Sequence, residues 1–252
     1  MISLVLVGAA GRMGRAIAET TAVVPGFKVK ACVDQALHVS ELDGPEWGSD
    51  LSRFAAPGDV VVEFSTAAAA VQAAQVCAER GAALISGTTG LTEAEEEAMR
   101  TAGRRVAVLR SANFSMGVLA LRRALNAAIP VLATWDVEIV ERHHRGKQDS
   151  PSGTAMLLAH EVAMRRGIPA AALRHGRQGR LGPRPADEIG VHALRGGSWV
   201  GDHTVLLAGA GEWIELRHVA QDRSAFAHGV LAAAGFVAKA SPGFYTFDAV
   251  LS

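Results

Sequence analysis

The sequence predicts an α/β protein, a doubly wound parallel sheet followed by a second, α+β domain. Three observations carry this prediction. Short apolar runs alternate with helix-compatible segments from Ile2 to about Ser111. Those runs end in small or glycine-rich turns. After Phe114 the texture changes to alternating strands joined by glycine-bearing turns. With 252 residues, 49% of them hydrophobic, the chain is long enough for one large or two modest domains with a real core. Lys plus Arg and Asp plus Glu each total 25, which argues against a general polyanion binder and leaves room for a local anion site.

The first element is the β-branched run Ile2 to Val7, which meets "GAAGRMGRAIAET" and reads as strand, glycine turn, helix. "FKVKACVD" is a second strand, ending in Asp34 twenty residues beyond Gly14. The motif is Gly8-x-x-Gly11-x-x-Gly14, with Ala10 where the second glycine of a G-x-G-x-x-G pattern would stand. Glycine lets the backbone approach a pyrophosphate, the helix amides present partial positive charge to it, and a carboxylate at the second strand end can accept ribose hydroxyls. Alone, the glycines could be a turn that merely packs helix on sheet. The strand before, the helix after and Asp34 favour a dinucleotide site.

The alternation continues with strand "DVVVEFS", the alanine-rich helix "AAAAVQAAQVCAER" closed by Gly81, and strand "AALISG". Helix "LTEAEEEAMRTAG" follows, with Thr92 as N-cap and acids in its first turns, and then strand "RVAVLRS". In a parallel sheet ligands sit outside the carboxyl ends of the strands. Those ends carry the glycine turn, Asp34, "FST" at Phe64 to Thr66, "GTTG" at Gly87 to Gly90, and "SANF" at Ser111 to Phe114.

Beyond Phe114 the pattern predicts a helix ending at Pro130, the strand "DVEIVERH", a helix from about Ser152 to Arg166, and three strands arranged antiparallel in "EIGVHALRGG", "DHTVLLAGAG" and "EWIELRHVAQ". An alanine-rich helix from Ser224 to Lys239 returns to the first domain. The boundaries are therefore 1–114 for dinucleotide binding, 115–222 for the second domain and 223–252 for the return. No apolar run reaches the roughly 18 residues of a membrane span, and no signal-peptide pattern follows Met1. Cys32 and Cys77 lie far apart in apolar runs, so the reading is a soluble cytoplasmic protein with buried thiols.

Between these helices lies "VERHHRGKQDSPSGTA", Val140 to Ala155, with five basic or imidazole side chains in the six positions from Arg142 to Lys147. His143 and His144 fall where the strand gives out, Lys147 just beyond, and Ser152-Gly153-Thr154 opens the next helix. Side chains that donate to carboxylates or pass protons thus meet a helix start that favours anions, an arrangement suited to a small dicarboxylate. A charged solvent loop is the general competitor. A metal site lacks a third ligand at usual spacing, and Ser152 lacks the surroundings of a nucleophile. The run "RHGRQGR" is basic, yet its glycines mark a loop, and neither nucleic acid nor membrane is an expected partner.

These pieces together resemble the 4-hydroxy-tetrahydrodipicolinate reductase (dihydrodipicolinate reductase) family: "GAAGRMG", "VVEFST", "ISGTTG", "SANFSMGV", "ERHHRGKQDSPSGTA", "IGVHALRGG", "VGDHTVLLAGAGEWIELRH" and "FAHGVLAAA", in order along nearly the whole chain. The resemblance implies a Rossmann-like dinucleotide domain, a substrate domain that also makes a homotetramer, and reduction of 4-hydroxy-tetrahydrodipicolinate by NADH or NADPH in diaminopimelate and lysine biosynthesis. It places Gly8, Ala9, Ala10, Gly11, Arg12, Met13, Asp34, Gly87, Thr88, Thr89, Ser111, Ala112, Asn113 and Phe114 along the dinucleotide. His144, Gly153 and Thr154 would hold substrate carboxylates, with Ser152 helping at the helix start. His143 and Lys147 would handle the proton, and hinges would lie near Phe114 and Gln221.

Gln35 stands where many relatives carry an arginine for the 2′-phosphate, which favours NADH; Arg12 offers a compensating charge, so NADPH stays a second candidate. Ser150 replaces a usual alanine and Asp202 a usual glutamate. Two other readings are a catalytically silent dinucleotide sensor, which would have little reason for "HHRGK" beside "SGT", and an aldehyde-oxidising dehydrogenase, which needs an exposed nucleophilic cysteine.

Overall fold

In a computed structural model, residues 1–35 and 44–251 are described, and they form two compact units: Met1–Met116 with Arg223–Ser252, and Gly117–Asp222. The first unit holds a seven-stranded sheet in the order β12-β6-β5-β4-β1-β2-β3, every pairing parallel. Its strands are β1 (Ile2–Val7), β2 (Phe27–Val33), β3 (Glu46–Gly48), β4 (Val60–Glu63), β5 (Ala83–Ser86), β6 (Ala107–Arg110) and β12 (Gly243–Thr246). Its helices are α1 (Arg12–Val23), α2 (Ala67–Arg80), α3 (Glu93–Gly103) and α6 (Ser224–Val237). The short edge strand β3 has no counterpart in the periodicity of the sequence.

Both sheet faces are covered, which is why the strands read as continuous apolar runs. Val5, Val7, Val61, Leu84 and Val108 face α2 and α3. On α2 the buried residues are Ala70, Ala73, Ala74 and Cys77, a narrow stripe of small side chains at helical spacing. The segment α6 packs on α1 and on β4, β5 and β6, and β12 pairs with β6, so the end of the chain completes this unit. Gly81 and Thr92 bound α2 and α3 as the sequence indicates, and Thr66 adds a cap that the sequence reading did not name. Thr66 caps α2 and Gly81 closes it in the left-handed region, while Thr92 and Glu95 form a full capping box on α3.

The second unit carries α4 (Met116–Val131), α5 (Gly153–Arg166) and a five-stranded sheet in the order β11-β10-β7-β9-β8. The strands are β7 (Asp136–His143), β8 (Leu173–His175), β9 (Ile189–Arg195), β10 (Gly201–Ala208) and β11 (Trp213–Ala220). This sheet is mixed, which corrects the antiparallel expectation. Strand β10 runs antiparallel to β7 and β11, but β9 is parallel to both β7 and β8. The helix α5 and the segment after it carry the chain back to the starting edge, and such a crossover makes parallel neighbours. Another correction is that α4 runs through Pro130 to Val131, the proline lying in its last turn.

Both helices cover the same face. Leu121, Leu125 and Ile129 of α4 and Leu158 and Val162 of α5 pack on Val137, Ile139, Val191, Val205 and Leu207. Along β7 the alternation is strict: Val137, Ile139, Glu141 and His143 are buried, and Glu138, Val140 and Arg142 are partly exposed. That alternation carries a glutamate and a histidine into the row that faces the helices.

Candidate active site

In the first unit the strand order reverses between β1 and β4, the place where open α/β sheets bind ligands. A cleft of ≈ 610 Å³ opens there, lined by residues that include Gly8, Gly11, Asp34, Gln35, Ser65 and Gln72. Gly8 has φ +77, and a Cβ on it would lie 2.2 Å from the Phe64 carbonyl oxygen. A Cβ on Gly14 would lie 2.4 Å from the Gly8 carbonyl oxygen. The turn is therefore closed around two backbone contacts that any side chain would break. Gly11 starts α1 without a side-chain cap bond, which leaves the amides of its first turn without the usual capping side chain. Asp34 accepts the Ala10 amide at 3.0 Å, which ties the end of β2 to the turn.

The other strand ends are organised by Glu63, a residue the motif reading passed over. It is wholly buried and accepts from Ser65 N and Oγ (2.7 and 2.6 Å), Ser86 Oγ (2.7 Å) and Thr88 Oγ1 (2.6 Å). The Thr88 hydroxyl is thereby engaged in the scaffold, whereas Gly87 is partly exposed and Thr89 is exposed. Ser111, Ala112 and Asn113 reach the surface of this unit. The Phe114 ring lies in the core, since the residue is 2% exposed and packs between Phe64 and Phe247 at ring distances of 5.5 and 5.2 Å, so its expected place along the dinucleotide is one for its main chain and not its ring. A large apolar ring buried this way holds the strand end in place.

In the second unit the candidate site residues fall at the end of β7 and the start of α5. Glu141 is wholly buried. Its Oε2 accepts from His143 Nδ1 at 2.6 Å and from Arg195 Nη1 at 2.8 Å; its Oε1 accepts from Arg195 Nη2 at 2.8 Å and from the Ser152 amide at 3.0 Å. Strand register explains the meeting, since His143 pairs with Arg195 of β9 and Glu141 with His203 of β10. Burial opposes the charge on Glu141, but the bonds from His143, Arg195 and Ser152 overcome it and hold the carboxyl down to about 2. Burial, aided by the neighbouring His143, pushes His203 down to about 4, so this ring is neutral near pH 7.

Ser152 caps α5 by accepting from Ala155 N at 3.2 Å and meets His203 Nε2 at 3.0 Å, so its hydroxyl is committed to the helix start. Gly153 is exposed, and a Cβ there would meet nothing within 4 Å. Thr154 follows, partly exposed in the first turn. His144 donates its amide to Trp199 O at 2.8 Å and its carbonyl accepts from the Lys147 amide at 3.1 Å, forming the turn that carries Lys147. Lys147 Nζ lies 2.8 Å from Asp149 Oδ1. On the opposite sheet face Asp202 holds Arg142 (2.8 Å) and Arg217 (2.8 Å), which places this substituted position away from His143.

The two halves of this chain each match a family model: residues 2–114 the dihydrodipicolinate reductase N-terminus and residues 117–251 its C-terminus. The chain belongs to the dihydrodipicolinate reductase family. Among curated 4-hydroxy-tetrahydrodipicolinate reductases, that of Anaeromyxobacter sp. (strain Fw109-5) is 42% identical over 262 residues, covering 100% of this chain and 98% of the relative. That of Archaeoglobus fulgidus is 42% identical over 252 residues, 96% of each chain. The fold is also that of a dipicolinate-bound dihydrodipicolinate reductase from Paenisporosarcina sp. TG-14, with TM-score 0.80 at 21% identity over 98% of this chain and 97% of that one.

Set against the family motifs, the structure brings His143, Ser152, Gly153 and Thr154 to one sheet end and keeps Gly8, Gly11 and Asp34 on one cleft. Motif reading missed Glu141, Arg195, His203 and Glu63. For Glu141 a signal exists, because a glutamate stands in the apolar row of "DVEIVERH". Arg195 and His203 are joined to it only across strands. Cys32 and Cys77 are wholly buried, and burial pushes their thiols up to about 11 and about 12, which removes the nucleophile an aldehyde-oxidising dehydrogenase needs.

The low pKa of Glu141 predicts acid lability of the second unit. A carboxyl whose folded value lies below its unfolded value, 4.5, stabilises the fold fully above that value and loses the contribution as pH falls toward about 2. The difference is worth about 3 kcal/mol. Three of the four tryptophans, Trp135, Trp199 and Trp213, lie in this unit. Tryptophan-detected urea midpoints therefore fall between pH 4.5 and 2, and the fall is shallower in Glu141→Gln, which has already lost the contribution at pH 7.

Proposed function

We propose that this chain reduces 4-hydroxy-tetrahydrodipicolinate to tetrahydrodipicolinate with NAD(P)H and loss of water, in diaminopimelate and lysine biosynthesis. The observation that carries this is the match of both halves of the chain, in order, to the reductase family and to curated reductases over 96–98% of their length. The first unit fits a dinucleotide on its own geometry, through the closed glycine turn, the uncapped start of α1 and the carboxylate at the end of β2. When bound, the nicotinamide supplies a hydride.

The residues of this chain do the remaining work. Gly8 to Met13 would cradle the pyrophosphate, Asp34 would take the ribose, and Gly87 to Thr89 with Ser111 to Phe114 would line the dinucleotide. His144 and the amides of Gly153 and Thr154 hold the two substrate carboxylates, which a helix start favours by charge and by free N–H groups. Ser152 keeps that start in register. Hydride arrival adds negative charge to the substrate, so a proton has to be supplied nearby, and His143 and Lys147 are the groups that handle it.

A homotetramer built on the second unit is part of the same reading. It is supported by Trp213, Val219 and Leu194, exposed apolar side chains on the sheet face that α4 and α5 leave uncovered. No helix of the described residues is long and apolar enough to cross a membrane. Two buried free thiols accord with a reducing cytoplasm.

We assign NADH as the preferred cofactor. The carboxylate of Asp34 and the uncharged Gln35, both on the cleft, repel or fail to bind a 2′-phosphate. A like-charge contact at about 4 Å is worth roughly 1 kcal/mol even in water, so kcat/KM for NADH should exceed that for NADPH by about fivefold or more. Purified protein, given each nucleotide and the freshly made product of the dehydratase reaction, reports activity and preference together. Absence of nucleotide oxidation would sink the reductase assignment, and a preference for NADPH would sink the role given to Asp34. Gln35→Arg should narrow the difference.

A further inference from the structure

We propose that Glu141 is a positioning residue that fixes the His143 ring in one tautomer, with the proton on Nδ1, so that Nε2 is the atom that exchanges a proton with the substrate. The inference rests on the assignment of His143 as a proton-handling group and goes beyond it by naming what orients the ring and which nitrogen works.

Geometry carries the argument. A carboxylate oxygen can only accept, so at 2.6 Å from Glu141 Oε2 the Nδ1 atom must be the donor. His143 is 8% exposed, its ring stands edge-on to His203 at 5.2 Å, and no bond to its Nε2 is formed among the described residues. On the Nε2 side the neighbour is Gly201, where a Cβ would come to 3.3 Å. The ring is thus tied at one nitrogen and free at the other. When the doubly protonated ring gives up its proton, the Nε2–H bond breaks and a new bond to hydrogen forms at the substrate atom that carries the negative charge left by the hydride, so that charge is neutralised and the ring is left neutral, still donating from Nδ1 to Glu141.

A glutamate in the apolar row of β7 needs a reason, because a buried carboxylate is unfavourable unless it is fully partnered. Arg195 accounts for its charge with two bonds of 2.8 Å, and Arg195 is itself braced on the Asp149 carbonyl at 2.8 Å. Arg195 alone would make Glu141 a strut. The bonds to His143 Nδ1 and to the Ser152 amide make it more than that, since one carboxylate sets both the proton-carrying ring and the N-cap of α5, where the substrate carboxylates are placed. The Glu141→Gln change keeps the shape but can offer an NH₂ to Nδ1, which favours the opposite tautomer.

Two measurements test this. In protein labelled with ¹⁵N-histidine, with the His143 signals identified by their loss in His143→Ala, the neutral ring should show a protonated Nδ1 and a bare Nε2. A protonated Nε2 in the neutral wild-type ring overturns the proposal, and this reading stands even if Glu141→Gln does not fold. In steady-state assays with the dehydratase product, Glu141→Gln should lower kcat by about 10²-fold or more, with substrate KM within a few-fold. In the His143→Ala background the same change should add less than about threefold, because a residue acting through His143 has nothing left to act on. Full multiplication of the two losses, or an unchanged kcat in Glu141→Gln, overturns the inference while His143 keeps its role. An unimpaired His143→Ala enzyme fails the assignment of His143 itself.

Discussion

Lys147→Ala should lower kcat by about 10² to 10⁴, the usual worth of a positioned proton donor, while NADH binding to the free enzyme stays within a factor of two. The separation follows from the division of labour between units: Lys147 lies in the second, on the turn after β7, and the glycine turn and Asp34 lie in the first. Its partner Asp149 has a side chain 59% exposed, and an ion pair that open to solvent contributes little to stability. The melting temperature of Lys147→Ala should therefore match wild type within about a degree. Stopped-flow turnover, fluorescence titration with NADH and a thermal melt decide the matter together. A parallel loss in all three would mean that the lysine supports the fold and not the chemistry.

Gly8→Ala should have the other large effect, and of the opposite kind. Its backbone sits at φ +77, where an L side chain is disfavoured by about 1–2 kcal/mol, and the added Cβ would overlap the Phe64 carbonyl at 2.2 Å. Backbone cannot rotate aside as a flexible side chain does, so β1 and β4 must part at the switch point or the turn must open. Overpacking of this kind typically adds 1–3 kcal/mol. We expect a drop of about 2–5 kcal/mol in stability and a weakening of NADH binding by tenfold or more, read by a thermal melt and by titration. Gly153→Ala is the useful contrast, because a Cβ there meets nothing and the fold should be unaffected.

These two glycines also show how much of the molecule was legible in the chain. The spacing of Gly8, Gly11, Gly14 and Asp34 announced a strand, a turn, a helix and a second strand end, because each step depends on neighbours a few residues away. The cap at Thr92, the helix start at Ser152 and the helix-closing Gly81 were equally local and equally readable. Period two along "DVEIVERH" already put Glu141 and His143 on the row of Val137 and Ile139.

Only the tertiary structure decided the rest. The direction of β9 depends on a crossover through α5, and strand direction leaves no trace in a strand's own residues. Phe114 reads in sequence as part of a ligand loop, yet its ring is drawn into the core between residues fifty positions before it and over a hundred after it. The partners of Glu141 come from β7, β9 and the start of α5, and those of Glu63 from the ends of β4 and β5. Local propensity and hydrophobic period act over a few residues and so determined the elements and the faces they bury. Hydrogen bonds between buried charges act between segments distant in the chain, so their pairing existed only once packing had brought those segments into register.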